Sequence, residues 1–212
     1  MKSVVSYKQQ IMNLLNQNSA YITAAACRRL GIPSVYLTQL VREGTLQRVG
    51  RGVYASAQVL EDEEFIFQSR NKRCIFSYHS ALSLHGMIDR LPGRMEVTVY
   101  RGYNAHRIPE HVRVHYVNQD IYPLGITQAL SIFGNPVEVY NRERTLCDLI
   151  KNRSVIEGEV FSQALRNYVR YPEKNLPRLF DYAARMKILR QTQELIEVRS
   201  EEHTSELQSR QV

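Results

Sequence analysis

In SYKQQIMNLLNQN the apolar residues Ile11, Leu14 and Leu15 fall at the i, i+3, i+4 spacing of one helical face, with Ser6 placed as an N-cap. A first helix is therefore expected over about 7–16, broken by Asn18, Ser19 and Ala20. Thr23 next offers a cap for AAACRRL, and Gly31 stands where a short second helix would end. Ser34 is placed to cap a third helix. Along it Leu37, Leu40 and Val41 make one apolar stripe, leaving Tyr36, Thr38, Gln39 and Arg42 to other faces until Gly44 stops it. Two short strands, 45–49 and 53–55, then flank GlyArgGly, whose glycines permit a tight turn. Three helices followed by such a hairpin are the layout of a winged helix-turn-helix. Its third helix would enter the major groove of DNA, and Arg51 at the wing tip would reach a flanking phosphate or the minor groove.

The pattern changes beyond residue 57. DEEFIFQSR reads as a linking helix within 58–73, with its acids at the N-terminus, where they suit the helix dipole. CIFSY is a short apolar segment, SALSLHGMI reads as a helix, and MEVTVY and VRVHYV alternate like half-buried strands; EVY at 138–140 could add another. RERTLCDLIKNR, EVFSQALRNYV and LPRLFDYAARMKIL are helical in pattern. The predicted class is α+β: a winged helix-turn-helix over 1–57, a linking helix over 58–73, and a mixed α/β domain over 74–198 with a helical C-terminal section.

Charge sharpens this division. Residues 1–57 hold seven Lys/Arg and a single acid, Glu43, whereas 58–198 hold nineteen Lys/Arg and seventeen acids. A basic excess concentrated in one module suits docking on a polyanion. No apolar run approaches the ~18 residues needed to cross a bilayer, and the first ten residues lack the apolar core of a signal peptide, so no membrane association and a cytoplasmic location are expected. Cys27, Cys74 and Cys147 are widely spaced with no CxxC pairing, which predicts buried reduced thiols rather than a disulfide framework or a zinc site. RSEEHTSELQS, within 199–212, reads as an in-frame translation of a sequencing-library adaptor and is set aside as an artefactual tail.

Enzymatic signatures are missing. The sequence contains no HExxH, no GxGxxG after a strand, no GxxxxGK[ST] and no GxSxG, and His79 and His85 are not at i, i+4. His106, His111 and His115 read as polar surface. Glu96 and Glu138 lie on expected strands, but neither begins the acid-x-Lys pattern of a Mg²⁺-dependent nuclease. In RTLCDLIKNR, Arg144 and Asp148 at i, i+4 predict an intrahelical ion pair that, with Glu143, fixes the domain interior or a partner surface. These observations predict no catalytic site, no metal and no cofactor.

ITAAACRRLGI and LVREGTLQRVGRGVY in the first domain, with YHSALSLHGM, MEVTVYRG and YNRERTLCDLIKNR in the second, resemble the AbiEi family of antitoxins over roughly residues 5–198. The pairing of RGVY with a downstream RTLCDLI is the more particular part of this resemblance. It implies a DNA-binding domain that represses its own operon. It also implies a C-terminal antitoxin domain that neutralises a nucleotidyltransferase-like toxin without a stable complex, in a type IV system linked to phage defence. Carried onto this sequence, the resemblance makes Tyr36, Gln39 and Arg42 candidates to face bases of operator DNA. Ser34 and Thr38 are placed near phosphate, and Arg48 and Arg51 belong to the wing. Gln suits adenine and Arg suits guanine in the major groove, while Tyr36 could instead close the small core. A ligand-responsive winged-helix regulator, unrelated to toxin neutralisation, is the alternative reading.

Overall fold

The computed structural model describes residues 6–17, 20–90 and 92–198; the adaptor-like tail lies outside the described residues. The chain divides into two compact units, Met1–Arg73 with Leu130–Val137, and Cys74–Ala129 with Glu138–Val212.

The first unit runs α1 (Tyr7–Gln17), β1 (Tyr21–Thr23), α2 (Ala24–Arg29), α3 (Val35–Arg42), β2 (Leu46–Gly50), β3 (Val53–Ser56) and α4 (Glu63–Arg70). Ile11 and Leu15 of α1, Cys27 of α2, and Leu37 and Leu40 of α3 close on Ile22 and Leu46 as one core. That core orients the three helices. Thr23 caps α2 as its spacing predicts, its side chain accepting from the Ala26 N–H at 3.0 Å. Ser34 is not the cap expected for α3: it adopts helical φ and ψ and makes no side-chain cap bond. The turn between α2 and α3 rests on Gly31, whose φ of +71° suits a residue without Cβ. Across it the Ile32 N–H reaches back to the Cys27 carbonyl at 2.9 Å.

β1 was not foreseen from the sequence. It pairs antiparallel with β3, giving a three-stranded sheet of order β1-β3-β2. Nor is α4 merely a connector. Phe65 and Ile66 pack on Tyr21, Val49, Val53 and Ala55, so the helix belongs to the first unit. The expected domain boundaries also miss the loop Leu130–Val137, which groups with this unit. Its physical tie is Asp62, 1% exposed, which caps α4 and accepts from Ser131 Oγ at 2.5 Å and Asn135 Nδ2 at 2.7 Å.

The second unit carries β4 (Ile75–Phe76), α5 (Tyr78–Leu84), β5 (Glu96–Tyr100), β6 (Arg113–Val117), β7 (Ile126–Leu130) and β8 (Pro136–Tyr140). Helices α6 (Arg142–Lys151), α7 (Gly158–Arg170) and α8 (Leu176–Arg185) follow, with a further helical stretch over 189–198. The strand order is β6-β5-β4-β8-β7, with β5–β6 and β4–β8 parallel and β4–β5 antiparallel. This is an α+β fold with a helical C-terminal section. The helix expected through Leu189 stops at Arg185, because the chain turns through Lys187 at φ +62°.

α6 is the axis of this unit: every residue from Glu143 to Ile150 is buried. Leu146, Leu149 and Ile150 join Phe161 and Leu165 of α7 and Leu179 of α8 in the core. Its polar residues need internal partners. Arg144, 0% exposed, pairs with Asp148 at 3.1 Å and donates to the carbonyls of Ile121 at 2.7 Å and Leu124 at 2.9 Å. Its guanidinium also lies 4.1 Å from the centroid of the Tyr140 ring. The i, i+4 pair expected from the sequence is therefore present and serves the interior.

Candidate nucleic-acid interface

α3 has two sides of opposite character. Leu37 and Leu40 are buried, Val41 is half-buried, and the three hold the helix to the core. Ser34, Thr38 and Arg42, one helical turn apart, are exposed on the other side, with Gln39 half-exposed beside them. Val35 shares this open face, 53% exposed, and was not singled out in the sequence. The signal was available: once Leu37, Leu40 and Val41 define the buried stripe, position 35 falls opposite it. Tyr36 lies elsewhere. It is half-buried against the core, its ring 5.1 Å from that of Tyr7, so the core-closing reading describes its position.

The hairpin holds Arg51 at its turn. Gly50 pairs with Val53, a bulge lies between Arg48 and Gly50, and Gly52 takes φ +73°, which closes the two-residue turn Arg51–Gly52. The Gly52 carbonyl accepts from the Ala24 N–H at 2.8 Å, tying the turn to the start of α2. Arg70 of α4 donates to the Val49 carbonyl, which braces the hairpin close to its turn. Arg51 is exposed. Arg48 is exposed too, but its Nε donates to the Gly50 carbonyl at 3.2 Å, so the side chain folds along its own hairpin. The single acid of the first 57 residues, Glu43, is paired with Lys8, leaving the cations of α3 and the wing tip without a carboxylate partner among the described residues. An open helix face carrying Thr, Gln and Arg, followed by an arginine-tipped hairpin, can meet DNA bases and phosphates.

The second unit gathers a polar group that sequence reasoning missed. Glu96 and Arg113 are register partners on β5 and β6, and Thr98 pairs with His115, so these side chains share one sheet face. Glu96 Oε1 meets His79 Nδ1 at 2.8 Å, and Oε2 meets His115 Nε2 at 2.6 Å. Because an ionised carboxylate only accepts, each imidazole presents an N–H. Burial alone would raise the Glu96 carboxyl; the hydrogen bonds from His115 and His79 outweigh it and hold it at about 2. His115 is thus a partner of a buried acid rather than loose polar surface, and its ring stacks on Tyr78 at 3.8 Å. No set of three His, Cys, Asp or Glu among the described residues is arranged to hold a metal ion. The three cysteines are buried and form no disulfide.

Residues 9–57, which span the three helices and the hairpin, match the family model described as transcriptional regulator, AbiEi antitoxin. The resemblance drawn from ITAAACRRLGI and LVREGTLQRVGRGVY is borne out over that segment. No curated protein matches the chain. No described helix is long and apolar enough to cross a membrane.

Proposed function

We propose that this protein is a cytoplasmic antitoxin and transcriptional repressor, whose first unit reads the operator of its own operon and whose second unit neutralises a nucleotidyltransferase-like toxin without forming a stable complex with it. The observation that carries the reading is the open face of α3, Ser34 to Arg42, beside an arginine-tipped hairpin, within the segment that matches the antitoxin-regulator family. Thr38 and Ser34 suit phosphate oxygens, Gln39 and Arg42 suit base edges, and Val35 adds an apolar contact of the kind that reads a thymine methyl group. Arg51 supplies charge at the flank. On this reading the second unit has no turnover of its own: its buried acids Glu96, Glu143 and Asp148 are engaged by His79 and His115, by Arg178 and by Arg144.

Co-expression tests both halves. Cells carrying the neighbouring toxin gene under an inducible promoter should grow when the full chain is supplied, and a reporter behind the operon's promoter should be silenced. Loss of silencing with retained rescue in Arg42→Ala/Arg51→Ala would assign the two roles to separate surfaces. Absence of rescue by the unaltered chain would remove the antitoxin role.

A further inference from the structure

One cleft of the second unit lies beside the Glu96 group and is not used by the reading above. It has a volume of about 280 Å³, and its lining includes His79, Glu96, the apolar Ile88 and Val160, and the arginines Arg94 and Arg113. Its charge balance is unusual. Three arginines, Arg90, Arg94 and Arg113, line it against two acids, Glu96 and Glu157, and both Glu96 oxygens are taken by imidazoles. Glu157, the other acid there, pairs with Arg90 at 3.7 Å, an exposed contact of little strength. Arg94 and Arg113 have no carboxylate partner among the described residues. Guanidiniums, apolar side chains and a fixed imidazole lining one cleft have the chemistry to meet an anion with an organic body.

We propose that this cleft binds a phosphate ester of mononucleotide size, with Arg94 and Arg113 holding the phosphate, His79 positioned by Glu96 as the polar group beside it, and Ile88 and Val160 contacting the organic part. The volume stands near the lower end of small-molecule sites, which favours one nucleotide over a polymer strand. Planar guanidinium forks match phosphate oxygens pairwise, whereas a neutral metabolite would leave both cations uncompensated. Register fixes Arg113 beside Glu96 on the sheet, so the site is built into β5 and β6 rather than borne on a loop alone.

Isothermal titration of the full chain with AMP, ATP and pyrophosphate tests this directly, with Arg94→Gln/Arg113→Gln as the comparison and a twelve-nucleotide RNA as a further probe. Both arginines are exposed, and neither is part of the core. The expected result is one nucleotide bound per chain, weakened at least tenfold in the double variant, with pyrophosphate weaker than the nucleotides. Operator affinity of that variant should be unchanged, which separates failure here from failure of the DNA-binding reading. Three results would overturn the proposal: no nucleotide or pyrophosphate binding at millimolar concentration, equal binding by the double variant, or RNA binding through these arginines with no mononucleotide bound.

Discussion

Val35 and Tyr36 are neighbours in sequence and opposites in role. Val35 is 53% exposed on the face that carries Thr38 and Arg42, whereas Tyr36 packs on the core beside Tyr7. Val35→Ala should therefore leave thermal stability nearly unchanged, yet cost about 1 kcal/mol of discrimination at a thymine-containing position in an operator-variant binding series. Tyr36→Ala should do the reverse, lowering stability by roughly 2 kcal/mol in urea denaturation while any loss of DNA affinity follows the unfolded fraction. A specific affinity loss in folded Tyr36→Ala would return that residue to the interface. At this scale the sequence was readable wherever a stripe decided the face, as for Thr38 and Arg42. It was not readable where two roles suit one side chain, as for Tyr36. It was also silent on Glu96, because the partners at 79 and 115 come from different elements and only the β5–β6 register brings His115 to it.

α6 and the β5–β6 pair show how elements impose their own chemistry. An element buried along its length must satisfy its charges internally, and Arg144 does so through Asp148 and two backbone carbonyls. Arg144→Met should cost about 3–5 kcal/mol, since it strands a buried carboxylate, and Arg144→Met/Asp148→Leu should recover much of that loss in urea denaturation. Equal destabilisation of both variants would show that the carbonyl bonds, rather than the stranded acid, dominate.

Glu96 gives a pH signature. Its ordinary value is 4.5 and its folded value about 2, so its stabilisation is complete above 4.5 and is lost as pH falls from 4.5 toward 2. The melting temperature of Glu96→Gln should lie below that of the unaltered chain at pH 7, with the gap narrowed at pH 3 and closing only as pH nears 2. A gap independent of pH would show that shape, not ionisation, is what matters there. Helices with a strong apolar period, α1, α3, α6 and α7, were legible in the sequence. β1, three residues long, and β7, exposed along nearly all its length, were not, since neither contains enough alternation to announce a strand.

At the scale of the molecule, charge and topology both divide the chain. Seven cations and one acid lie in the first 57 residues, and the acid is spent on Lys8. The division into two units was legible from the shift in charge and pattern near residue 57, but its detail was not. α4 and the loop Leu130–Val137 join the first unit through Phe65, Ile66 and the buried Asp62, contacts that local pattern does not encode. Because α4 also braces the hairpin through Arg70, the unit that holds the family-matched segment extends beyond residues 9–57.

The measurement that bears most directly on this account is the salt dependence of binding between the full chain and a fragment carrying its own promoter. Fluorescence anisotropy between about 50 and 300 mM salt should give a linear fall of log affinity with log salt. In Arg42→Ala/Arg51→Ala the affinity should drop by about a hundredfold and the slope should shrink by about 1, the share of the phosphate contact at Arg51. A double variant that binds the fragment with the affinity and slope of the unaltered chain would contradict the assignment of α3 and the wing to DNA.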